Sequence, residues 1–377
     1  MMPKIRLMIV DDSILFRSWM VQNLGADPRF EVVGYAINAI DAKNKLPQLK
    51  PDIMTLDIEM PGMTGLDFLR EVLPTNPIPI ILVSSLNVRV FDALAAGAVD
   101  FVRKPDMNLE GGKQAFLQTL KSKLVVGANA KVRLPSPGAF AGSAASRGGA
   151  VSSVSSNARG GVGTPSASAS SSETISSAPL RSPSSFGNVD LIAIGASTGG
   201  TEAILEVVRQ FPAKMPGIVI TQHMPPGFTA MYAERLNRIC NLKVKEACHG
   251  DKVMPGQILL APGGLQMRVV KMGTGFSVSC TEEAKVSGHK PSVDVLFDSV
   301  AANVKSRAIG IILTGMGADG AAGLLRMRKA GAYTIGQNRE TCVVYGMPME
   351  AYRAGAVCTQ SALSSIPQVV MAQLAKS

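Results

Sequence analysis

Leu191-Ile-Ala-Ile-Gly-Ala-Ser-Thr-Gly-Gly200 is the stretch that decides the reading of this chain. A short apolar run ends at Gly195, Ser197 follows, and Gly199 and Gly200 lead into a helical pattern from Thr201. That arrangement puts a serine hydroxyl on a sharp strand-to-helix turn. Glycines there remove Cβ clashes, and the first N–H groups of the helix point at whatever the serine touches. Such a turn suits a nucleophile and equally suits a bound phosphate. The residues around His223 and Asp319 separate the two.

His223 follows the apolar run Ile218–Thr221 and precedes Met224-Pro225-Pro226, so it falls at a strand's carboxyl end, the same edge as Ser197. Asp319 lies in Leu313-Thr-Gly-Met-Gly-Ala-Asp-Gly320, directly after the run Ala308–Leu313. Three strand ends can therefore bring together Ser197 as nucleophile, His223 as general base and Asp319 as the carboxylate that orients the imidazole. The N–H of Met316, with an N–H near Thr198, is placed to stabilise an oxyanion. The other histidines, His249 and His289, fall in irregular or hairpin sequence and read as ordinary surface or core residues. Gly195-Ala-Ser-Thr-Gly199 matches the G-x-S-x-G of α/β-hydrolases, but the order Ser…His…Asp differs from their Ser…Asp/Glu…His and excludes that family. A nucleotide cradle is disfavoured, since there is no G-x-x-x-x-G-K-[ST] and Gly195–Gly200 does not fit G-x-G-x-x-G.

The chain of 377 residues is long enough for two domains and, at 46% hydrophobic residues, for packed cores. Residues 1–124 alternate strand-like runs (Lys4–Val10, Phe30–Ala36, Ile53–Asp57, Ile78–Ser84, Phe101–Lys104) with helical patterns. This predicts a doubly wound α/β domain. Residues 125–187 are rich in Ser, Ala, Gly and Pro, which predicts a flexible linker. Residues 188–377 resume the βα rhythm as a second doubly wound, mainly parallel domain. Between Gly250 and Ser287, short runs at Gln257–Ala261, Gln266–Lys271 and Gly275–Cys280 predict an antiparallel hairpin inserted in that sheet or added to its edge. The net charge of +10 divides into zero, +4 and +6 over the three segments. It forms no stripe, and nucleic acid is not a favoured partner. Five scattered cysteines without a CxxC pair read as unpaired thiols of a cytoplasmic protein. No apolar stretch reaches the roughly 18 residues of a membrane span. The apolar N-terminus runs into Asp11-Asp12 without a cleavage site, so a first strand is expected there.

Asp11 and Asp12 end the first strand-like run, Asp57 the third, Ser84 the fourth and Lys104-Pro105 the fifth. In an open parallel sheet these ends line one crevice. Three close carboxylates repel one another unless a cation joins them, and an all-oxygen set favours Mg²⁺. Asp57 is then a nucleophile toward a phosphoryl donor. Lys104 would balance the added charge, and Ser84 would bond a phosphoryl oxygen.

Residues 1–124 resemble response-regulator receiver domains, on Asp11-Asp12-Ser13, Leu56-Asp57-Ile58-Glu59-Met60-Pro61-Gly62-Met63, Val83-Ser84-Ser85, Ala96-Gly97-Ala98 and Lys104-Pro105. The resemblance implies Asp57 as phosphoacceptor, Asp11, Asp12, Asp57 and Glu59 about a Mg²⁺ ion, and Phe101 in the place of the aromatic switch residue. The second half resembles the catalytic domain of chemotaxis protein-glutamate methylesterases. Ile194-Gly-Ala-Ser-Thr-Gly-Gly-Thr-Glu202, Gln222-His-Met-Pro225, His289-Lys-Pro-Ser-Val-Asp-Val-Leu-Phe297 and Leu313–Ala321 carry that likeness. It implies hydrolysis of glutamate methyl esters on chemoreceptors with release of methanol, deamidation of receptor glutamines, and Ser197, His223 and Asp319 as the triad. It also implies a receiver that shields the cleft until Asp57 is phosphorylated. The expected partners are the cytoplasmic domains of methylated chemoreceptors and a chemotaxis histidine kinase, with the membrane approached only through the receptors. The esterase step itself would need no metal. Gln337-Asn338-Arg339 departs from the family, which has an acidic residue after the glutamine, and the linker is longer than usual. Two other readings stay open: a non-enzymatic regulator whose output domain binds a ligand or protein, and an esterase of a small diffusible ester.

Overall fold

The computed structural model describes residues 3–85, 89–107, 110–134 and 187–376. The first domain contains β1 (Ile5–Val10), α1 (Ile14–Gly25), β2 (Phe30–Ala36), α2 (Ala39–Leu49), β3 (Ile53–Leu56), α3 (Gly65–Val72), β4 (Ile80–Ser84), α4 (Arg89–Ala95), β5 (Asp100–Arg103) and α5 (Glu110–Gly127). Its five strands are parallel in the order β2-β1-β3-β4-β5. Both β3 and β4 are buried along their whole length, as an unbroken apolar run between two helical layers requires. Asp11, Asp57, Ser84 and Lys104 come after or at the ends of four of these strands, and all fall on one edge of the sheet.

The second domain contains β6 (Leu191–Ala196), α6 (Gly200–Val208), β7 (Gly217–Gln222), α7 (Phe228–Ile239), β8 (Lys243–Glu246), β9 (Gln257–Leu260), β10 (Gln266–Met272) and β11 (Gly275–Thr281). It continues with α8 (Val293–Asn303), β12 (Ala308–Ile312), α9 (Ala321–Lys329), β13 (Tyr333–Gln337), α10 (Met347–Arg353), β14 (Thr359–Ser361) and α11 (Ile366–Ala375). The main sheet has seven strands, β14-β13-β12-β6-β7-β9-β8, and every pairing in it is parallel. The chain starts at β6 in the middle, builds outward through β7, and then returns to β12 on the other side. The boundary between β6 and β12 is therefore where the connections diverge, the place at which open α/β sheets bind ligands.

Two expectations change. Gln257–Leu260 is not part of a hairpin but a parallel strand between β7 and β8. The hairpin is β10–β11 alone, a separate two-stranded sheet. Its buried face, Met267, Val269 and Val278, packs in one apolar cluster with Leu296, Phe297 and Val300 of α8. The expected linker begins too early as well, because α5 runs to Gly127 and the chain after it is held. Lys131 donates its backbone N–H to the Val343 carbonyl (3.1 Å), and Arg133 pairs with Glu206 on α6. The rest of the expected linker, 135–186, lies outside the described residues.

The two domains share one apolar cluster, which contains Leu82, Phe91 and Phe101 of the first and Ile194, Phe228 and Tyr232 of the second. Phe101 meets Phe228 with centroids 4.6 Å apart, and Phe91 stacks on Tyr232 at 5.4 Å. Such aromatic pairs contribute about 0.5–1.5 kcal/mol beyond their area burial. With this shared core, the domains should unfold together. Emission from Trp19, the single tryptophan and a residue of α1, should lose its folded value at the same denaturant concentration as the far-UV ellipticity of the whole chain. In Phe228→Ala the two midpoints should separate; separate midpoints in the parent chain would contradict a shared core.

Candidate functional site

Ser197, His223 and Asp319 follow β6, β7 and β12, three adjacent strands at the switch point. The Ser197 turn is fixed from three sides. Its N–H donates to the Thr314 carbonyl (3.0 Å), and its carbonyl accepts from Gln222 Nε2 (2.9 Å) and from the Gly200 N–H (2.7 Å). Two glycines are required for this shape. Gly199 has φ 75°, where an L side chain is strained, and a Cβ there would lie 2.6 Å from Val343 Cβ. At Gly315 a Cβ would come within 2.8 Å of Ser197 Cβ, so the loop after β12 closes on the serine only because that residue has no side chain.

Asp319 is the anchor. Its Oδ1 accepts from Ser292 Oγ (2.7 Å) and the Asp294 N–H (3.0 Å), and its Oδ2 from the Val293 N–H (2.7 Å) and His223 Nε2 (2.7 Å). Ser292 is the N-cap of α8, so the carboxylate sits at a helix N-terminus, where N–H groups and the macrodipole favour an anion. Burial alone would raise this carboxyl, but the His223 and Ser292 hydrogen bonds outweigh it and hold the pKa down at about 2. An anionic Asp319 accepts only, so Nε2 of His223 carries the proton and Nδ1 presents its lone pair. His223 Nδ1 is buried and, among the described residues, has no hydrogen-bond partner. Ser197 therefore makes no hydrogen bond to His223 Nδ1 in this resting chain. Contacts of this kind often tighten only when substrate is in place. The Thr198 and Met316 N–H groups, expected as oxyanion donors, donate to no backbone carbonyl among the described residues.

Sequence reasoning missed His289. Its ring lies parallel to that of His223, with centroids 3.7 Å apart and planes 7° from one another. Burial, and then the neighbouring His223, lower its pKa to about 4, so it is neutral at physiological pH. The sequence carried one unused signal, the position of His289 three residues before the cap of α8, which holds Asp319. The remaining histidine, His249, lies on the exposed side near Ser279 Oγ (3.5 Å), as a surface residue would.

The first domain reaches this site through β5. Asp100 accepts a hydrogen bond from Thr198 Oγ1, the residue after Ser197, and both side chains are buried. Lys123 of α5 bonds the other Asp100 oxygen (2.6 Å) and the Phe101 carbonyl (2.9 Å). Phe101, 4% exposed, is wedged against Phe228. On the Gln337-Asn338-Arg339 side, Lys131 Nζ bonds the carbonyls of Arg339 and Glu340, each at 3.2 Å.

At the far end of β5 lies the carboxylate group. Oxygens of Asp11, Asp12 and Asp57 are all within 4.8 Å of one another. Lys104 Nζ sits 2.6 Å from Asp57 Oδ2 and 2.8 Å from Asp11 Oδ2. Burial raises the Asp57 carboxyl above its ordinary value despite Lys104, and Lys104 is itself raised because the two aspartates outweigh burial. Asp11 Oδ2 is buried without a well-aligned hydrogen bond, and Ser84 Oγ is buried without a partner among the described residues. An all-oxygen set with unsatisfied buried acceptors fits a hard divalent cation. Glu59 departs from expectation: it is exposed, its carboxylate is not in this group, and it contributes its backbone N–H to Asp57 Oδ1 (3.2 Å). Ser84, not the exposed Ser85, points into the interior.

The lowered pKa of His289 has a consequence for stability. Its neutral form is favoured by folding, so the folded state is favoured most above the ordinary histidine value of 6.5 and loses stability as pH falls toward about 4. Asp319 keeps its contribution throughout this window, because its own stabilisation is lost only as pH falls through about 2. Thermal melts should show Tm dropping between pH 6.5 and 4, with a smaller drop in His289→Phe. Equal drops in the two proteins would contradict a buried neutral His289.

Comparisons with known proteins identify the family. The family model of the response regulator receiver domain matches residues 7–110, and that of the CheB methylesterase matches residues 192–370. A protein-glutamate methylesterase/protein-glutamine glutaminase of Syntrophomonas wolfei is 46% identical over 97% of both chains. The corresponding protein of Escherichia coli K12 is 40% identical over 99% of this chain and 98% of its own. The crystal structure of the Thermotoga maritima CheB methylesterase catalytic domain is 34% identical, covers 49% of this chain and 98% of that one, and aligns with a TM-score of 0.48. With a receiver domain before a methylesterase domain and such identity along almost its entire length, this chain belongs to the CheB family of protein-glutamate methylesterases/protein-glutamine glutaminases.

Proposed function

We propose that the protein hydrolyses glutamate methyl esters on chemoreceptors, and deamidates receptor glutamines, under control of phosphorylation at Asp57. The observation that carries this reading is the His223–Asp319 pair beside the Ser197 turn at one switch point, with the receiver strand β5 laid against that turn. In the reaction Ser197 Oγ attacks the ester carbonyl and His223 Nδ1 accepts its proton. The N–H groups of Thr198 and Met316 receive the oxyanion, each worth about 2.7–4 kcal/mol in the transition state. His223 then returns the proton to the departing methoxide, which leaves as methanol. A water, deprotonated by the same nitrogen, hydrolyses the acyl-enzyme to free Ser197 and a glutamate carboxylate. With a glutamine substrate ammonia leaves instead. Asp319 keeps Nε2 protonated and stabilises the imidazolium.

In the receiver, Asp11, Asp12 and Asp57 would hold Mg²⁺, which supplies charge neutralisation for phosphoryl transfer to Asp57. Lys104 and Ser84 would bond the phosphoryl oxygens. Lys104 immediately follows β5, and its N–H is tied to Ser84 across the β4–β5 pair (2.9 Å). A new dianion at Asp57 therefore pulls on the strand whose first residues, Asp100 and Phe101, cover the Ser197 turn. That is a two-state element biased by charge at one end. The phosphoryl donor would be a chemotaxis histidine kinase, and the compartment the cytoplasm. Among the described residues no helix is long and apolar enough to cross a membrane.

The test is methanol release from methylated receptor membranes. The parent chain should release methanol faster when Mg²⁺ and a small phosphoryl donor are added, and Ser197→Ala should release none. Asp100→Ala removes a buried contact to a charged group worth roughly 1.5–3 kcal/mol and should raise release without donor by about tenfold or more. No release by the parent chain in any condition would overturn the substrate assignment. Unchanged basal release in Asp100→Ala would overturn the shielding role of β5.

A further inference from the structure

We propose that His289 is a positioning residue for the esterase reaction, holding the His223 ring in the plane in which its Nδ1 can serve Ser197. The proposal rests on the reading of His223 as the base. Asp319 grips His223 at Nε2 only, by one 2.7 Å contact. A single in-plane hydrogen bond leaves an imidazole free to turn about the axis of that bond, and Nδ1 has no partner to stop it. The broad face of the ring is held by His289 instead, stacked at 3.7 Å and 7°.

A slab can fix a ring only if the slab is fixed, and His289 is. Its N–H donates to the Val286 carbonyl (2.9 Å) and its carbonyl accepts from the Val286 N–H (3.0 Å). The same carbonyl accepts from Gln266 Nε2 (3.1 Å), whose side chain is fully buried on β10 and also bonds the Ala284 carbonyl (3.1 Å). Gln266 Oε1 in turn accepts from the Ser292 N–H (2.8 Å), and Ser292 Oγ donates to Asp319 (2.7 Å). The contacts close into a circuit: His223 to Asp319, to Ser292, to Gln266, to His289, and by ring stacking back to His223. The separate β10–β11 sheet thus has a task. It brings Gln266 to the one point where the His289 loop and the cap of α8 can be tied together.

The chemistry of the slab also matters. A cation facing His223 would oppose its taking the serine proton. Burial first, and then the neighbouring His223, keep His289 neutral, with Lys123 and Lys285 acting in the same direction and Asp319 against it. A neutral π face beside an imidazolium attracts it, by about 0.5–2 kcal/mol for cation–π contacts in general. Phenylalanine would preserve the slab and its neutrality, whereas alanine would remove both.

The full-length protein, labelled with ¹⁵N in its three histidines, gives the direct readout. In the parent chain the His223 imidazole should show one sharp set of ring signals, protonated at Nε2 and bare at Nδ1. In His289→Ala the Nε2 proton should stay, because Asp319 holds it, but the ring signals should broaden by exchange as the ring turns. There kcat for Ser197-dependent methanol release should fall about 10- to 100-fold, the range expected when a reacting group is misplaced, with KM within about twofold. His289→Phe should keep the sharp signals and most of kcat. Sharp ring signals or parental kcat in His289→Ala would overturn the proposal. If His289→Ala does not fold, His289→Phe decides alone, and broadened signals with a lowered kcat there would overturn it. A parent chain with no Ser197-dependent release would overturn the esterase reading instead, and the ring signals would still report whether the stack holds the ring.

Discussion

The second domain depends on one buried carboxylate. Asp319 enters the site from β12, takes the first N–H groups of α8, and spends its last acceptor position on His223. Four donors lower its pKa to about 2 against the cost of burial, so it is an anion whatever the cell does to its pH. From that charge follow the tautomer of His223, the orientation of its free nitrogen and the docking of α8 on the sheet. Replacing Asp319 by a neutral group would change the hydrogen-bond logic of all three at once.

The receiver imposes the second constraint. A strand of four residues, β5, ends beside Asp57 and begins beside the Ser197 turn. Lys104 is paired with Asp57, while Asp100 and Phe101 engage Thr198 and Phe228. Asp57 and the Ser197 turn are thus joined through β5, which pairs with β4 along one side and packs on the second domain through Asp100 and Phe101. The strap formed by Lys131 and Arg133 keeps the end of α5 on the second domain, so the receiver is held at both β5 and α5.

Much of this was legible in the sequence because apolar runs announce buried parallel strands, and the residue just past each run lands on one sheet edge. That reading puts Ser197, His223 and Asp319 at one sheet edge and Asp57, Ser84 and Lys104 at another, where the structure has them. What was not legible came from elements without periodicity or from contacts far apart in the chain. Lys243–Glu246 and Thr359–Ser361 are too short and too polar to read as strands. Gln257–Leu260 looked like its hairpin neighbours, and only pairing partners distinguish a parallel from an antiparallel strand. His289 sits in a loop whose place is set by Gln266, 23 residues away, and Asp100 meets Thr198 across 98 residues. The end of α5 was hidden because helix and linker share small residues around Gly127.

Control of the second domain by the receiver turns on whether charge at Asp57 uncovers Ser197. The rate at which a serine-directed phosphonate labels Ser197 in the full chain, with and without Mg²⁺ and a small phosphoryl donor, measures this without any receptor. The expected result is slow labelling that speeds up with donor in the parent chain and does not change in Asp57→Asn. Fast labelling that ignores the donor would mean that β5 does not guard the nucleophile, and would contradict the central claim.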